Sequence, residues 1–308
     1  MFQYIIRRLL MVIPVLIGVM IITFFLMYIV PGDPVLTMLG QHANEDSINR
    51  MRSQLRLDEP WYIQFSGYIT RTLRGDLGVS YMSNVPVAEA LKRRLPNTAR
   101  LAFTAIIVST IMGISIGIVS AVFQNTWIDH FAMTFALLFI STPVFWFGTV
   151  LILIFAMTLG WFPISGMGDG SIKYLILPAI TLGSRSAAFL ARYTRSVMLE
   201  VIREDYIRTA RAKGIAERVI ILKHALKNVM IPVVTVLGMS LASYLNGSVL
   251  TESIFAWPGF GRYVVTAIQK RDFQVIAGSV LVGSVIFVFF NLIVDIIYIA
   301  LDPRIKYD

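Results

Sequence analysis

The 308-residue sequence contains no cysteine, which excludes a disulfide framework and any thiolate metal site. Its three histidines, His42, His130 and His224, lie in separate segments, and no His-Glu-x-x-His pair occurs. The metal and cofactor classes that need such ligands are therefore not expected. No Gly-x-x-x-x-Gly-Lys-Ser/Thr loop is present, so by this motif the chain does not bind and hydrolyse ATP itself. A hydrolase working within a membrane would need a nucleophile and a base inside its apolar runs; those runs offer serine and threonine but no histidine. Charge is scarce as well. Only 15% of residues are charged against 56% hydrophobic, more apolar surface than one soluble core of this length can hide. The surplus calls for a bilayer.

What is present is a set of long apolar runs. Leu9 to Val30 supplies 22 uncharged residues, Leu101 to Phe123 supplies 23 and Phe131 to Leu159 supplies 29. Val229 to Val249 and Ile276 to Leu301 are also long enough for a core about 30 Å thick at about 1.5 Å per residue. Tyr174 to Ala191 makes a sixth candidate, although it carries Arg185 and glycine or proline breaks. The expectation is an all-α membrane protein with six transmembrane helices. The first run is too long for a signal-peptide core and is followed by Pro31-Gly32-Asp33-Pro34 rather than a small-residue cleavage site, so it reads as a retained anchor.

The segment from Arg192 to Asn228 interrupts these runs with nine Lys/Arg, at 192, 195, 203, 208, 211, 213, 218, 223 and 227, against four acids at 200, 204, 205 and 217. Such a bias belongs on the cytoplasmic side of a membrane. One third of the basic residues lie here, so the net charge of +9 follows from topology and does not call for nucleic acid. With this loop inside, walking outward puts both termini in the cytoplasm. Arg7 and Arg8 before the first run agree, as do Arg304 and Lys306 after the last; Lys92, Arg93, Arg94 and Arg100, at the outer mouth of the second run, run against the rule.

Residues 31–97 are too long for a simple connection. Helical patterns over Ser47 to Leu57, opening in a Glu45-Asp46-Ser47 N-cap region, and over Trp61 to Leu73 suggest a small external helical cap. The organisation expected is residues 1–30 as N-terminus and first helix, 31–97 as the cap, and 98–308 as a five-helix core.

Within the basic segment, Asp205-Tyr206-Ile207-Arg208-Thr209-Ala210-Arg211-Ala212-Lys213-Gly214, followed by Lys223-His224-Ala225-Leu226-Lys227-Asn228, resembles the cytoplasmic "EAA" loop of ABC importer permeases. The match is specific to the dipeptide, oligopeptide and nickel branch. Counting back from Gly214, the general Glu-Ala-Ala positions fall on Arg208, Thr209 and Ala210, of which only Ala210 is unchanged, and the later positions fall on His224, Leu226 and Lys227 with Pro232 displaced. Pro31-Gly32-Asp33-Pro34, Leu57-Asp58-Glu59-Pro60, Gly75-Asp76-Leu77-Gly78, Trp257-Pro258-Gly259-Phe260-Gly261, Arg271-Asp272 and Asp302-Pro303-Arg304 also match that branch, so the resemblance covers essentially the whole chain.

The resemblance implies a type I importer permease subunit in a bacterial or archaeal plasma membrane, forming half of a pathway for di- or oligopeptides. It implies a second permease subunit, two ATP-hydrolysing subunits and an external solute-binding protein as partners, with lipid around the chain. Permeases for nickel chelates or glutathione share the same motifs. The chain itself would not be an enzyme. The 204–228 loop would couple to the ATPases through Glu204, Asp205, Tyr206, Arg208, Thr209, Ala210, Arg211, Lys213, Gly214 and His224.

Gly214 suits a helix end that needs positive φ, as pivot of a coupling element or as a simple C-cap. Arg208, Arg211 and Lys213 serve either the positive-inside bias or contact with an ATPase. His224 lacks a second ligand at metal spacing and reads as structural. Arg185 and Arg192 share a helix face, with Arg195 one turn on; Asn291, Asp295 and Tyr298 form a polar stripe. These either line a pathway or make interhelical pairs. Pro143 can kink the third run, and Gly113-x-x-x-Gly117 marks close helix packing. An ion-coupled secondary transporter would place acids near the midplane, whereas the runs carry one, Asp295, off-centre.

Overall fold

The computed structural model of the chain describes residues 2–29, 35, 44–54, 57–245 and 248–301. Among them every regular element is helical, apart from one isolated antiparallel bridge between Val79 and Pro86. A helix satisfies its own backbone, which is what long apolar runs require in hydrocarbon. In chain order the helices are α1 (Phe2–Ile29), α2 (Glu45–Gln54), α3 (Trp61–Leu73), α4 (Val87–Val122), α5 (Trp127–Ser141) and α6 (Val144–Leu151), the last continuing as a π-helix over Ile152–Thr158. Then come α7 (Lys173–Val201), α8 (Asp205–Ala212), α9 (Glu217–Val219), a π-helical stretch Ile220–Ala225, α10 (Leu226–Leu245), α11 (Val249–Ile254), α12 (Phe260–Gln269) and α13 (Phe273–Leu301).

Among the described residues four helical stretches are long and apolar enough to cross a membrane: Val87–Val122, Lys173–Val201, Glu217–Leu245 and Phe273–Ile293. A fifth arises if α5 and the run Val144–Thr158 form one broken span, and in α1 the apolar stretch is Leu10–Leu26. Each of the six expected runs is helical over most of its described residues, and a count of six requires α1 and the bent pair each to cross. The third run departs from expectation most. It is no continuous 29-residue helix: Thr142 and Pro143 are extended, and the two halves meet at 107°. Proline has no N–H to donate and disfavours helix at the residue before it, so the break falls at the Thr142-Pro143 step.

Local signals account for other boundaries. The side chain of Asn44 accepts the Ser47 N–H at 2.8 Å, so α2 is capped one residue before the expected Glu45-Asp46-Ser47 region. Helix α3 has the expected bounds. Helix α4 starts ten residues before Asn97, so the 31–97 segment ends inside a helix. Helix α7 runs unbroken through Pro178 and Gly183, well past Ala191. Pro31-Gly32-Asp33-Pro34, Leu55 and Asp302-Pro303-Arg304 lie outside the described residues, as do the side chains of Arg7, Arg8, Asp295 and Tyr298.

The chain divides into two compact units. The first takes Met1–Asn97 and Gly259–Phe289. Its core joins Val87 and Leu91 of α4 to Phe260 and Ala267 of α12 and Val275 of α13. Helix α3 rests on α1 through the Thr23 and Tyr68 hydroxyls, 3.0 Å apart, and the Phe24 and Phe65 rings. Buried Asp272 fastens the loop before α4: it accepts the Ser80 hydroxyl at 2.5 Å and the N–H groups of Tyr81 and Met82 at 3.3 and 3.4 Å. Ser80 is consequently buried, whereas Met82 beside it is exposed.

The second unit takes Thr98–Pro258 and Phe290–Asp308 and is organised around α7. An added Cβ at Gly113 would sit 2.7 Å from the Leu190 Cβ, one at Gly117 2.6 Å from the Thr194 Cβ, and one at Gly183 2.7 Å from the Ala105 carbonyl oxygen. Helices α4 and α7 thus meet backbone to backbone, as the Gly113-x-x-x-Gly117 spacing implies, with Gly183 completing the seam. Near one end of this seam Thr98 donates to the buried Glu252 at 2.7 Å.

Candidate functional site

Helix α8 is only eight residues long, below the length at which an isolated helix is stable in water. Its local signals agree nonetheless. Glu204 enters extended at ψ 148°, Asp205 lies in the first turn and Arg211 in the last, so the charges complement the helix dipole. The helix is held by its apolar side. Ile207 is fully buried and Ala210 nearly so, three residues apart on one face. They pack in one cluster with Ala121 of α4, Leu190 and Met198 of α7, Ile220, Ile221 and Ala225 of the π-helical stretch, and Val229 and Val233 of α10.

The remaining faces are polar and open. Glu204, Asp205, Tyr206, Arg208, Thr209, Arg211 and Lys213 are all exposed. Ala210 is the expected contact residue that turns the other way: it roots α8 in the core and is not presented outward. Tyr206 is tethered, its hydroxyl accepting from the Asn228 side chain at 2.6 Å. Thr209 donates to the Asp205 carbonyl at 2.9 Å, and Arg208 lies 3.4 Å from the Asp205 carboxylate.

Gly214 ends the helix at φ +74°, its N–H donating to the Arg211 carbonyl at 2.9 Å and the Ile215 N–H to the Ala210 carbonyl at 3.3 Å. These two bonds make a Schellman stop. A Cβ at Gly214 would meet nothing within 4 Å, so backbone conformation alone favours glycine there. The turn is clipped by Arg211, which donates twice to Glu217, at 3.1 and 2.7 Å. That pairing raises the Arg211 pKa and lowers that of Glu217. His224 lies half-buried in the π-helical stretch. The assembly is a short helix with an apolar root set among α4, α7 and α10, a polar outward face and a clipped turn.

The other expected polar residues do not join it. Arg185 and Arg192 are exposed on α7, and Asn291 is half-buried on α13. Arg195 differs from both arginines. It makes a two-pronged pair with Asp129 of α5, Nε and Nη2 each donating at 2.7 Å. The sequence reading did not single out Asp129; the signal was an acid in the first turn of α5, just before the third apolar run.

Residues 113–307 match the family described as binding-protein-dependent transport system inner membrane component, and residues 1–102 match its N-terminal counterpart. The dipeptide transport system permease protein DppB of Alkalihalophilus pseudofirmus is 45% identical over 333 residues, covering all of both chains. The glutathione transport system permease protein GsiC of Escherichia coli K12 is 42% identical over 307 residues, again covering all of both. Among solved structures, an inward-facing MetNI methionine ABC transporter chain matches 69% of this chain and 96% of its own with a TM-score of 0.59 at 20% identity. A chain of an amino acid ABC transporter with histidines matches 68% and 93% with a TM-score of 0.54 at 16% identity. These two share the fold.

Proposed function

The chain belongs to the family of binding-protein-dependent transport system inner membrane components and is a permease subunit of an ABC importer, not an enzyme; on that footing we propose that its cargo is a di- or oligopeptide. The full-length similarity to a dipeptide permease carries this reading. Glutathione is the second reading, favoured by the glutathione permease at 42% identity.

The chain works with ATPase and binding-protein partners, as its family does. In the arrangement proposed here it pairs with one homologous permease, two ATPase subunits and an external binding protein, in lipid, with both termini cytoplasmic. Residues 31–97 form an external cap. The 204–228 loop docks on an ATPase through the exposed Glu204, Asp205, Tyr206, Arg208, Thr209, Arg211 and Lys213, with Ala210 rooting α8, Gly214 setting the turn and His224 supporting it from within. ATP-driven closure of the ATPases would displace α8, whose root carries the movement into the spans and gives alternating access. Arg185, Arg192, Asn291 and Asp295 line the pathway or pair between helices.

Uptake by the transporter reconstituted with these partners in proteoliposomes tests this. Accumulation of labelled dipeptides is expected with ATP and without an ion gradient. Gradient-driven uptake without ATP would support a secondary transporter, and glutathione uptake without peptide uptake would select the second cargo. The orientation is tested on the same preparation, which has no native cysteine. Cysteine at exposed Met82 should react from outside and at Ala216 only after permeabilisation; reaction of both from one side would overturn the topology.

A further inference from the structure

Asp129 is 2% exposed, and what surrounds it comes from three elements. The Ser120 hydroxyl near the end of α4 donates to Oδ1, and the Asn125 N–H in the α4–α5 turn donates to Oδ2 at 3.0 Å. Asn125 holds φ +62°, a conformation asparagine tolerates better than most side chains, so the turn is shaped to deliver that N–H. From α7, Arg195 completes the site with its fork. One carboxylate therefore takes four hydrogen bonds from two spans and a turn while standing on a third helix.

We propose that Asp129 and Arg195 form a transmission latch that passes displacement of α8 to the bent helix pair α5–α6; the proposal rests on the coupling role of α8 given above. Ala121, next to Ser120, and Met198, one turn beyond Arg195, both pack in the cluster that holds Ile207 and Ala210. A displaced α8 thus bears on α4 and α7 directly. Helix α5 contributes nothing to that cluster among the described residues. It packs along α7, and near this end the polar link between the two helices is Asp129 with Arg195. Two parallel N–H···O bonds resist sliding and rotation in a way a single ammonium contact does not. Replacing a buried ion pair by apolar packing is often neutral for stability, so the pair is better explained by the position it enforces than by stabilisation.

The test uses the assembled transporter with its ATPases, partner permease and binding protein in proteoliposomes, and reads the ratio of binding-protein-stimulated to basal ATP hydrolysis beside copurification of the ATPases. Asp129→Asn and Arg195→Gln should each lower that ratio at least fivefold, with assembly retained. The double variant should fall no further than either single one, and Arg195→Lys, which keeps the charge without the fork, should lie between. An unchanged ratio in assembled Asp129→Asn transporter would overturn the latch, as would additive losses in the double variant. Loss of assembly in all of them, Arg195→Lys included, would assign the pair to folding and overturn it too. Gly214→Pro run in parallel separates the two claims: if it uncouples while the Asp129 variants do not, the latch fails and the coupling role of α8 stands. If Gly214→Pro leaves stimulation intact, the role of α8 fails.

Discussion

At Gly117 on α4 an added Cβ would lie 2.6 Å from the Thr194 Cβ and 2.7 Å from the Ala191 carbonyl oxygen, whereas at Gly214 the same atom would meet nothing within 4 Å. Gly214 instead holds φ +74°. One region needs glycine for space and the other for conformation. The α4–α7 seam is a fixed contact in which two backbones touch, and the turn after α8 is a free surface whose shape is set from within. A seam that tight has no slack to absorb movement, while the open turn leaves room for another protein to dock. The unit therefore pairs a rigid frame with an accessible handle.

Breaking the seam should have the largest effect. Gly117→Ala forces a shift of α4 against backbone and is expected to destabilise the assembled transporter by about 1–3 kcal/mol, with Gly113→Ala close behind, read as a drop in the thermal midpoint in detergent. A midpoint within experimental scatter of the parent would show that the helices separate easily. Gly214→Ala is expected to lose about 1–2 kcal/mol locally, because a left-handed conformation is unfavourable for alanine, and Gly214→Asn should lose less. Here stimulated ATP hydrolysis should suffer more than the thermal midpoint does; equal losses would make the turn as structural as the seam.

Charge on the outward face of α8 should weigh less again. Replacing Arg208, Arg211 and Lys213 together by glutamine removes exposed pairs worth roughly 0–1 kcal/mol each and a leaflet attraction of about 1 kcal/mol per base, so membrane insertion should hold. Copurification of the ATPases should weaken and become more salt-sensitive. Normal copurification and transport would leave these bases to topology alone.

The smallest effect concerns pH. Because Arg211 lowers the Glu217 pKa, their pair contributes in full above the ordinary glutamate pKa and is lost as pH falls through the lowered folded value. Both side chains are about half exposed, so roughly 0.2–1 kcal/mol is at stake. Comparing the thermal midpoints of the parent and Arg211→Gln between pH 7 and 3 should show a difference that shrinks towards acid. A constant difference would mean that the clip does not titrate as paired.

Much of α8 and its turn was legible along the chain because their determinants are local. The basic bias, the Asp205-to-Lys213 run and Gly214 announce a short helix with a stop, and the structure supplies that stop with its Schellman bonds. The inward turn of Ala210 was less legible, since which face of an eight-residue helix is buried depends on how α4, α7 and α10 pack around it. The break of the third run was foreshadowed by Pro143, but proline allows a bend without dictating 107°.

By itself the sequence determined the membrane class, the helical runs, the basic loop and the small-residue seam, because hydrophobic length, charge bias and helical period are properties of neighbouring residues. Only the tertiary structure decided which polar groups meet. Asp129 finds Arg195 66 positions away, Thr98 finds Glu252 154 away and Ser80 finds Asp272 192 away. No local pattern encodes those distances: a buried charge needs a partner, and which one it reaches depends on how the packed helices bring distant turns to the same depth.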